Sequence, residues 1–180
     1  MAEIPRTPQE IQSILVRLAH EIMASISAWD KVAFIGVRSG GELMARGLVK
    51  ILEKNTGKQV PLGVLDIALY RDDLTRRKSY PEVRSTDIPF GVDDKEIILV
   101  DDVLYTGRSV RAAIDHIVDL GRPRRIYLLV MFDRDGRELP IQADFTGKVV
   151  PTTASEAVEV RMKETDGEDS VWIMEKSDGA

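Results

Sequence analysis

The sequence predicts an α/β fold: a central parallel sheet flanked by helices. Three observations carry this. Uninterrupted apolar runs recur at Val32-Ala33-Phe34-Ile35-Gly36-Val37, at Ile97-Ile98-Leu99-Val100 and from Ile126 to Phe132, the pattern of strands buried on both faces. Between them lie segments whose apolar residues repeat at helical spacing. The 180 residues, 43% of them hydrophobic, are the length of a single domain spanning 1–180 with its own core. Strands alternating with helices close into a doubly wound sheet with right-handed crossovers.

The first element is a helix from about Pro8 to Ala28. Thr7 is placed to cap it, Pro8 suits the first helical position, and Glu10 completes a capping box. Ile11, Ile14, Leu15, Leu18, Ile22 and Ile26 form its apolar stripe, which leaves Ser13, Arg17 and His20 on the opposite side. The strand 32–37 follows and runs into Arg38-Ser39-Gly40-Gly41. A helix then reaches about Lys54, with Asn55 and Gly57 as stop signals. Pro61 to Tyr70 is a strand candidate that carries Asp66 within it. Arg71 to Gly91 is a long polar excursion with few aliphatic residues, including Asp72, Asp73, Arg76, Arg77 and Lys78. The strand 97–100 leads through Asp101 and Asp102 to a helix bearing Val110, Ile114, Ile117 and Val118, which ends at Gly121 before Pro123. After the strand 126–132 come short candidates at 149–150, 158–162 and 171–174, the last two joined as a hairpin at Asp166-Gly167. There are no repeats.

Composition excludes several function classes. The absence of Cys removes a disulfide scaffold, a thiolate zinc site, an iron–sulfur cluster and a Cys nucleophile. With 25 Lys+Arg against 30 Asp+Glu the net charge is -5, which argues against whole-surface nucleic-acid binding but allows a local basic patch. No stretch reaches the roughly 18 apolar residues of a membrane span. Met1 to Pro8 lacks the basic start and apolar run of a signal peptide. The expectation is a cytoplasmic protein without membrane partners.

Ligands of open α/β sheets bind outside the carboxyl ends of the strands. There the sequence places Asp101-Asp102, followed by Thr106-Gly107-Arg108-Ser109 opening a helix. Hydroxyls, a glycine and the N–H groups of a helix N-terminus make a phosphate cradle. The carboxylates upstream repel a phosphate, so they are left to hold sugar hydroxyls, a metal ion, or both. A ribose 5-phosphate satisfies the whole arrangement. Both carboxylates reach one sugar only if the chain leaves the pleat at Asp101, because side chains alternate along a strand.

Val100 to Ser109, VDDVLYTGRS, resembles the phosphoribosyl-pyrophosphate (PRPP) motif of type I phosphoribosyltransferases. LDIALYRDDL (Leu65 to Leu74), VDLGRP (Val118 to Pro123) and RELPIQADFTGKVVPT (Arg137 to Thr152) extend the likeness to the PyrR-type pyrimidine operon attenuators/uracil phosphoribosyltransferases. The resemblance implies a type I fold with a small hood and a flexible loop, and the reaction of uracil with PRPP to give UMP and diphosphate. It assigns catalysis to Asp101, Asp102 and Arg71. Arg38, Ser39 and Gly40 would meet diphosphate, Asp72 belongs to the loop that closes over the site, and Val103, Leu104, Tyr105, Thr106, Gly107, Arg108 and Ser109 form the ribose-phosphate segment. The base would lie beside Asp133.

Mg2+ is expected through diphosphate and ribose rather than in a protein cage. A homo-oligomer is implied as well. A second implied function is binding of pyrimidine operon leader RNA, for which the sequence offers Arg17, His20, Arg134, Arg137 and Lys148. The chain departs from the family pattern in three places. Ser39-Gly40-Gly41 replaces the Thr-Arg-Gly of many relatives, and Val16 and Gly136 replace a hydroxyl residue and a His. A purine phosphoribosyltransferase would share the central motif, and an RNA-binding regulator with little catalysis is the other alternative.

Overall fold

The capping box forms as read. In the computed structural model the Thr7 hydroxyl accepts the Glu10 N–H at 3.3 Å, and Glu10 Oε2 accepts the Thr7 N–H at 3.0 Å, opening α1 (Pro8–Ser25). The structure describes residues 7–38, 40–68, 70, 85–153, 155–161 and 170–175. Helix α1 stops three residues before Ala28 because Ile26 turns extended and buries its side chain. Strand β1 (Val32–Val37) leads into α2 (Gly40–Thr56). Strand β2 (Leu62–Leu65) is shorter than the 61–70 candidate, and its end has a local cause. Asp66 Oδ1 accepts the Ala68 N–H at 2.8 Å, an Asx turn that takes the backbone out of the ladder.

Strand β3 (Glu96–Leu104) continues well past Val100 and is followed by α3 (Arg108–Leu120), β4 (Arg125–Arg134) and β5 (Phe145–Val150). All five strands pair in parallel, in the order β2-β1-β3-β4-β5. Two apolar layers cover the sheet. Leu18, Ile22, Leu48 and Leu52 of α1 and α2 pack with Phe34, Ile98 and Leu129 on one face. Val110, Ala113 and Ile117 of α3 pack with Ile35, Ile97, Leu99 and Val130 on the other. Burial on both faces explains why the central strands read as continuous apolar runs.

Strands β6 (Glu156–Arg161) and β7 (Ser170–Glu175) make a separate antiparallel pair whose Val158, Val160, Val171 and Ile173 rest on the α1–α2 layer. Their predicted turn at Asp166-Gly167 lies outside the described residues. Among the described residues no helix is long and apolar enough to cross a membrane.

The approach to β6 is pinned by a carboxylate. Glu156 Oε2 accepts the Thr153 backbone N–H at 2.7 Å and the Thr153 hydroxyl at 3.0 Å. These bonds, with a smaller contribution from Arg134, hold its carboxyl below its ordinary value of 4.5. A depressed folded value means the stabilisation is present above the unfolded value and is lost as pH falls through the folded one. Glu156→Gln is therefore expected to flatten the acid side of the stability curve, measured as urea midpoints between about pH 6 and pH 3. An unchanged pH slope would contradict this.

Candidate active site

The strand order reverses between β1 and β3. From β1 the chain passes through α2 on one face to β2, and from β3 through α3 on the other face to β4. Such a reversal opens a crevice at the carboxyl ends of the two strands, which is where doubly wound sheets bind ligands. Both loops singled out in the sequence open there. Ser39, Arg71 and Asp72 lie outside the described residues, as do Asp73, Arg76, Arg77 and Lys78.

Glycines let the start of α2 rest directly on β3. A Cβ at Gly40 would lie 2.4 Å from Asp102 Oδ2, and one at Gly41 would lie 2.2 Å from the Val100 carbonyl oxygen. At Gly40, where the family pattern has Arg, the Asp102 side chain occupies the space a Cβ would need. Arg38 donates to the Ser85 carbonyl at 3.0 Å and stands 3.8 Å from Glu42, while its buried Nε has no hydrogen-bond partner among the described residues.

The strand expected over 97–100 does not end at the paired carboxylates but runs on to Leu104. The offset with β4 is the same from Glu96 opposite Arg125 to Leu104 opposite Asp133, but the ladder is interrupted at Asp102 and Met131, which do not pair. The alternation of faces nevertheless slips. Ile98 and Val100 pack in the α1–α2 layer and Ile97 and Leu99 in the α3 layer, yet Val103 joins the former and Leu104 the latter. Strand β4 slips with it, since Met131 and Phe132 both belong to the α1–α2 layer. Two adjacent strands changing phase together preserve their offset while breaking the strict alternation at Asp101-Asp102.

Asp101 is 6% exposed and its Oδ1 accepts the Asp102 N–H at 3.0 Å. Asp102 is half-buried and its Oδ1 accepts the Val103 N–H at 2.8 Å. Leu104 is fully buried and Val103 half-buried, so these two expected substrate contacts place their side chains in packing under the site.

Gly107 begins α3 at φ 91°, a left-handed conformation that favours glycine. Thr106 Oγ1 accepts the Arg108 N–H at 3.3 Å. The first turns of α1 and α2 carry Glu10 and Glu42, but that of α3 carries no acid and begins with Arg108. A helix start lacking its own carboxylate leaves the positive end of the dipole for an outside anion. Ser109 is half-buried in this turn.

The segment 136–141, whose place beside this turn the sequence does not show, packs against it. The Thr106 carbonyl accepts from Glu138 N at 3.0 Å and Leu139 N at 3.1 Å, and Glu138 Oε2 pairs with Arg108 Nε at 2.6 Å. Arg137 donates both to the Tyr105 carbonyl and to Asp133 Oδ1, joining the end of β4 to the root of the cradle. Gly136, at φ 112°, lies so close that a Cβ would be 2.2 Å from Tyr105 Cε2, so the Tyr105 ring fills the space a side chain at 136 would take. These residues follow the cradle by about thirty positions; the sequence marks them as part of the Arg137 to Thr152 likeness, but no local signal shows that they pack against Tyr105 and Thr106.

The five basic residues expected to serve RNA divide into two groups. Arg17 and His20 are exposed on α1, and Arg17 reaches Glu21 and the carbonyls of Thr146 and Gly147 beside the half-buried Lys148. Arg134 is only 4% exposed and Arg137 is turned inward by Tyr105 and Asp133. Neither guanidinium belongs to the α1–β5 surface, because both are engaged in packing or hydrogen bonds at the end of β4.

Comparison with known proteins agrees with this geometry. A model of the phosphoribosyl transferase domain matches residues 4–165. The "Bifunctional protein PyrR" of Thermus aquaticus is 51% identical over 97% of this chain and 96% of its own length. That of Chloroflexus aurantiacus is 52% identical over 93% and 92%. Among solved structures, the hypoxanthine phosphoribosyltransferase of Trypanosoma cruzi superimposes with a TM-score of 0.68 at 18% identity, covering 97% of each chain, a likeness of fold alone. The chain thus belongs to the phosphoribosyltransferase family and, within it, to the PyrR proteins.

Proposed function

We propose that this protein transfers the phosphoribosyl group of PRPP to uracil, forming UMP and diphosphate. The observation that carries this is one crevice, at the β1–β3 reversal, holding two carboxylates at one end and, at the other, a helix start with no acidic residue in its own first turn. The cradle 106–109 grips the 5-phosphate, with Arg108 adding charge. Asp101 and Asp102 face the ribose hydroxyls. As the bond from C1 to diphosphate breaks, positive charge grows on the ribose, and a fixed carboxylate beside it lowers the barrier. Uracil N1 then bonds to C1 as diphosphate leaves with the bonding pair, and the N1 proton passes to the departing diphosphate or to water.

Arg38 and the 39–41 loop attend the departing diphosphate, and Asp133, held by Arg137, borders the base. Arg71 and Asp72 belong by resemblance to the segment that shields the reaction from water.

Among the described residues no three acids or histidines make a metal cage. Asp101 and Asp102 are hard oxygen donors, and Mg2+ is commonly held by one or two carboxylates together with substrate phosphates. The donor set fits such an ion. When bound, Mg2+ neutralises charge on the leaving diphosphate.

The test is turnover of purified protein with PRPP and Mg2+ on uracil, hypoxanthine or guanine in turn. UMP from uracil, with no purine nucleotide from the other two, is the expected result. Product from a purine alone would overturn the reading.

A second activity, binding the leader RNA of a pyrimidine operon, is favoured by the exposed Arg17 and His20 next to Lys148 and by the bifunctional relatives. Arg17→Gln is expected to leave phosphoribosyl transfer unchanged. It should weaken RNA binding and reduce the salt slope of log Kd by about one, read by filter binding at several salt concentrations. An unaltered slope would remove Arg17 from the RNA surface. These roles make the protein cytoplasmic, and the family supports a homo-oligomer.

A further inference from the structure

Arg134 is the least expected charge in the molecule. It is 4% exposed, and among the described residues it has no carboxylate within ion-pair distance. Its guanidinium carbon lies 3.9 Å from the centre of the Tyr105 ring. One Nη donates to the Thr153 carbonyl at 3.2 Å, while its buried Nε has no hydrogen-bond partner among the described residues. Its positive charge also contributes to lowering Glu156. A buried cation with so few partners is costly unless its position serves some purpose.

What Arg134 holds is Tyr105. The ring is stacked by Arg134, its Cε2 edge closely approaches Gly136, and the Tyr105 carbonyl accepts from Arg137. The next residues are Thr106 and the left-handed Gly107, from which α3 and the cradle begin. Fixing a ring, an edge and a carbonyl of one residue leaves the following turn little freedom. An anion site made of backbone N–H groups depends on that orientation, since a displaced helix start misdirects every donor together.

We propose that Arg134 is a positioning residue for phosphoribosyl binding. By stacking on Tyr105 it presets the backbone of the 106–109 cradle before PRPP arrives. This inference rests on the phosphoribosyltransferase reading, but it does not depend on which base is used.

Direct titration of PRPP into the full-length protein, together with steady-state kinetics, tests it. A desolvated cation–π contact of this kind corresponds to roughly a ten- to thirty-fold change in an equilibrium constant. Arg134→Met is expected to weaken PRPP binding by about that factor, while KM for uracil stays within about two-fold. Arg134→Lys, which keeps the charge without the planar guanidinium, should fall between Arg134→Met and the unmodified protein. Tyr105→Leu should reproduce the loss, and the double variant Arg134→Met/Tyr105→Leu should be no worse than either alone, because both remove one contact.

A purely structural Arg134 would instead lower the unfolding midpoint and the active fraction without changing PRPP affinity. PRPP affinity equal to the unmodified protein in Arg134→Met, or additive losses in the double variant, would overturn the proposal. If Arg134→Met does not fold, Arg134→Lys and Tyr105→Leu carry the same comparison. PRPP bound normally by the unmodified protein without consumption of uracil would refute the uracil assignment, and the binding titrations would still decide the role of Arg134.

Discussion

Asp102→Asn is expected to lower kcat by about 10²–10³-fold while leaving the fold intact. The substitution keeps the shape of the side chain and the Oδ1 that accepts the Val103 N–H at 2.8 Å, so the local backbone retains its bond. What disappears is the negative charge. In a crevice closed on one side by the start of α2, that charge works against a lower dielectric than water and is correspondingly effective. The substrate in its ground state carries no cation at C1, so the loss should fall mainly on kcat rather than on KM for PRPP. Half-buried polar substitutions that keep their hydrogen bonds usually change stability by about 0.5 kcal/mol or less, which predicts a shift of roughly 2 °C in the unfolding midpoint. Steady-state kinetics beside a thermal scan separate the two effects. Turnover within three-fold of the unmodified protein would remove Asp102 from the chemistry.

Gly41→Ala is expected to be the most damaging single-methyl change in the crevice. The added Cβ would lie 2.2 Å from the Val100 carbonyl oxygen and 2.9 Å from the Asp101 Cα. Both are backbone atoms of the central strand, so no rotamer change relieves the clash. Overpacking of this kind typically costs about 1–3 kcal/mol, or roughly 2–12 °C in the midpoint of a protein this size. Relief would move α2 away from β3 or push β3 itself, and either displacement shifts the Asp101-Asp102 carboxylates and lowers activity. Gly47→Ala is the control. Gly47 lies inside α2, where an added Cβ meets only Leu15 Cδ1 at 3.5 Å, so alanine is expected to stabilise by up to about 1 kcal/mol. Equal stability of the two variants would show that α2 does not bear on β3 as described.

Two of the departures from the family pattern coincide with close contacts of this kind. Gly40 faces the Asp102 carboxylate and Gly136 faces the Tyr105 ring, each closer than a Cβ allows. In the sequence both were simply residues absent from their expected type. Their meaning depends on what lies opposite, about sixty residues away for Gly40 and about thirty for Gly136.

By itself the sequence determined the layered α/β architecture, the order of its main elements, the consecutive Thr106-Gly107-Arg108-Ser109 segment that opens α3, and the family. These rest on short-range rules: burial on both faces writes continuous apolar runs, caps and glycines mark helix ends, and a turn built from consecutive residues is written consecutively. Only the tertiary structure decided that β3 continues through its carboxylates with a change of phase, that the 136–141 wall braces Thr106 and Gly107, and that Arg134 turns inward to Tyr105 instead of outward to RNA. Each depends on which distant segment packs against a residue. A guanidinium looks the same in a sequence whether it meets water or an aromatic ring, and packing alone settles the difference.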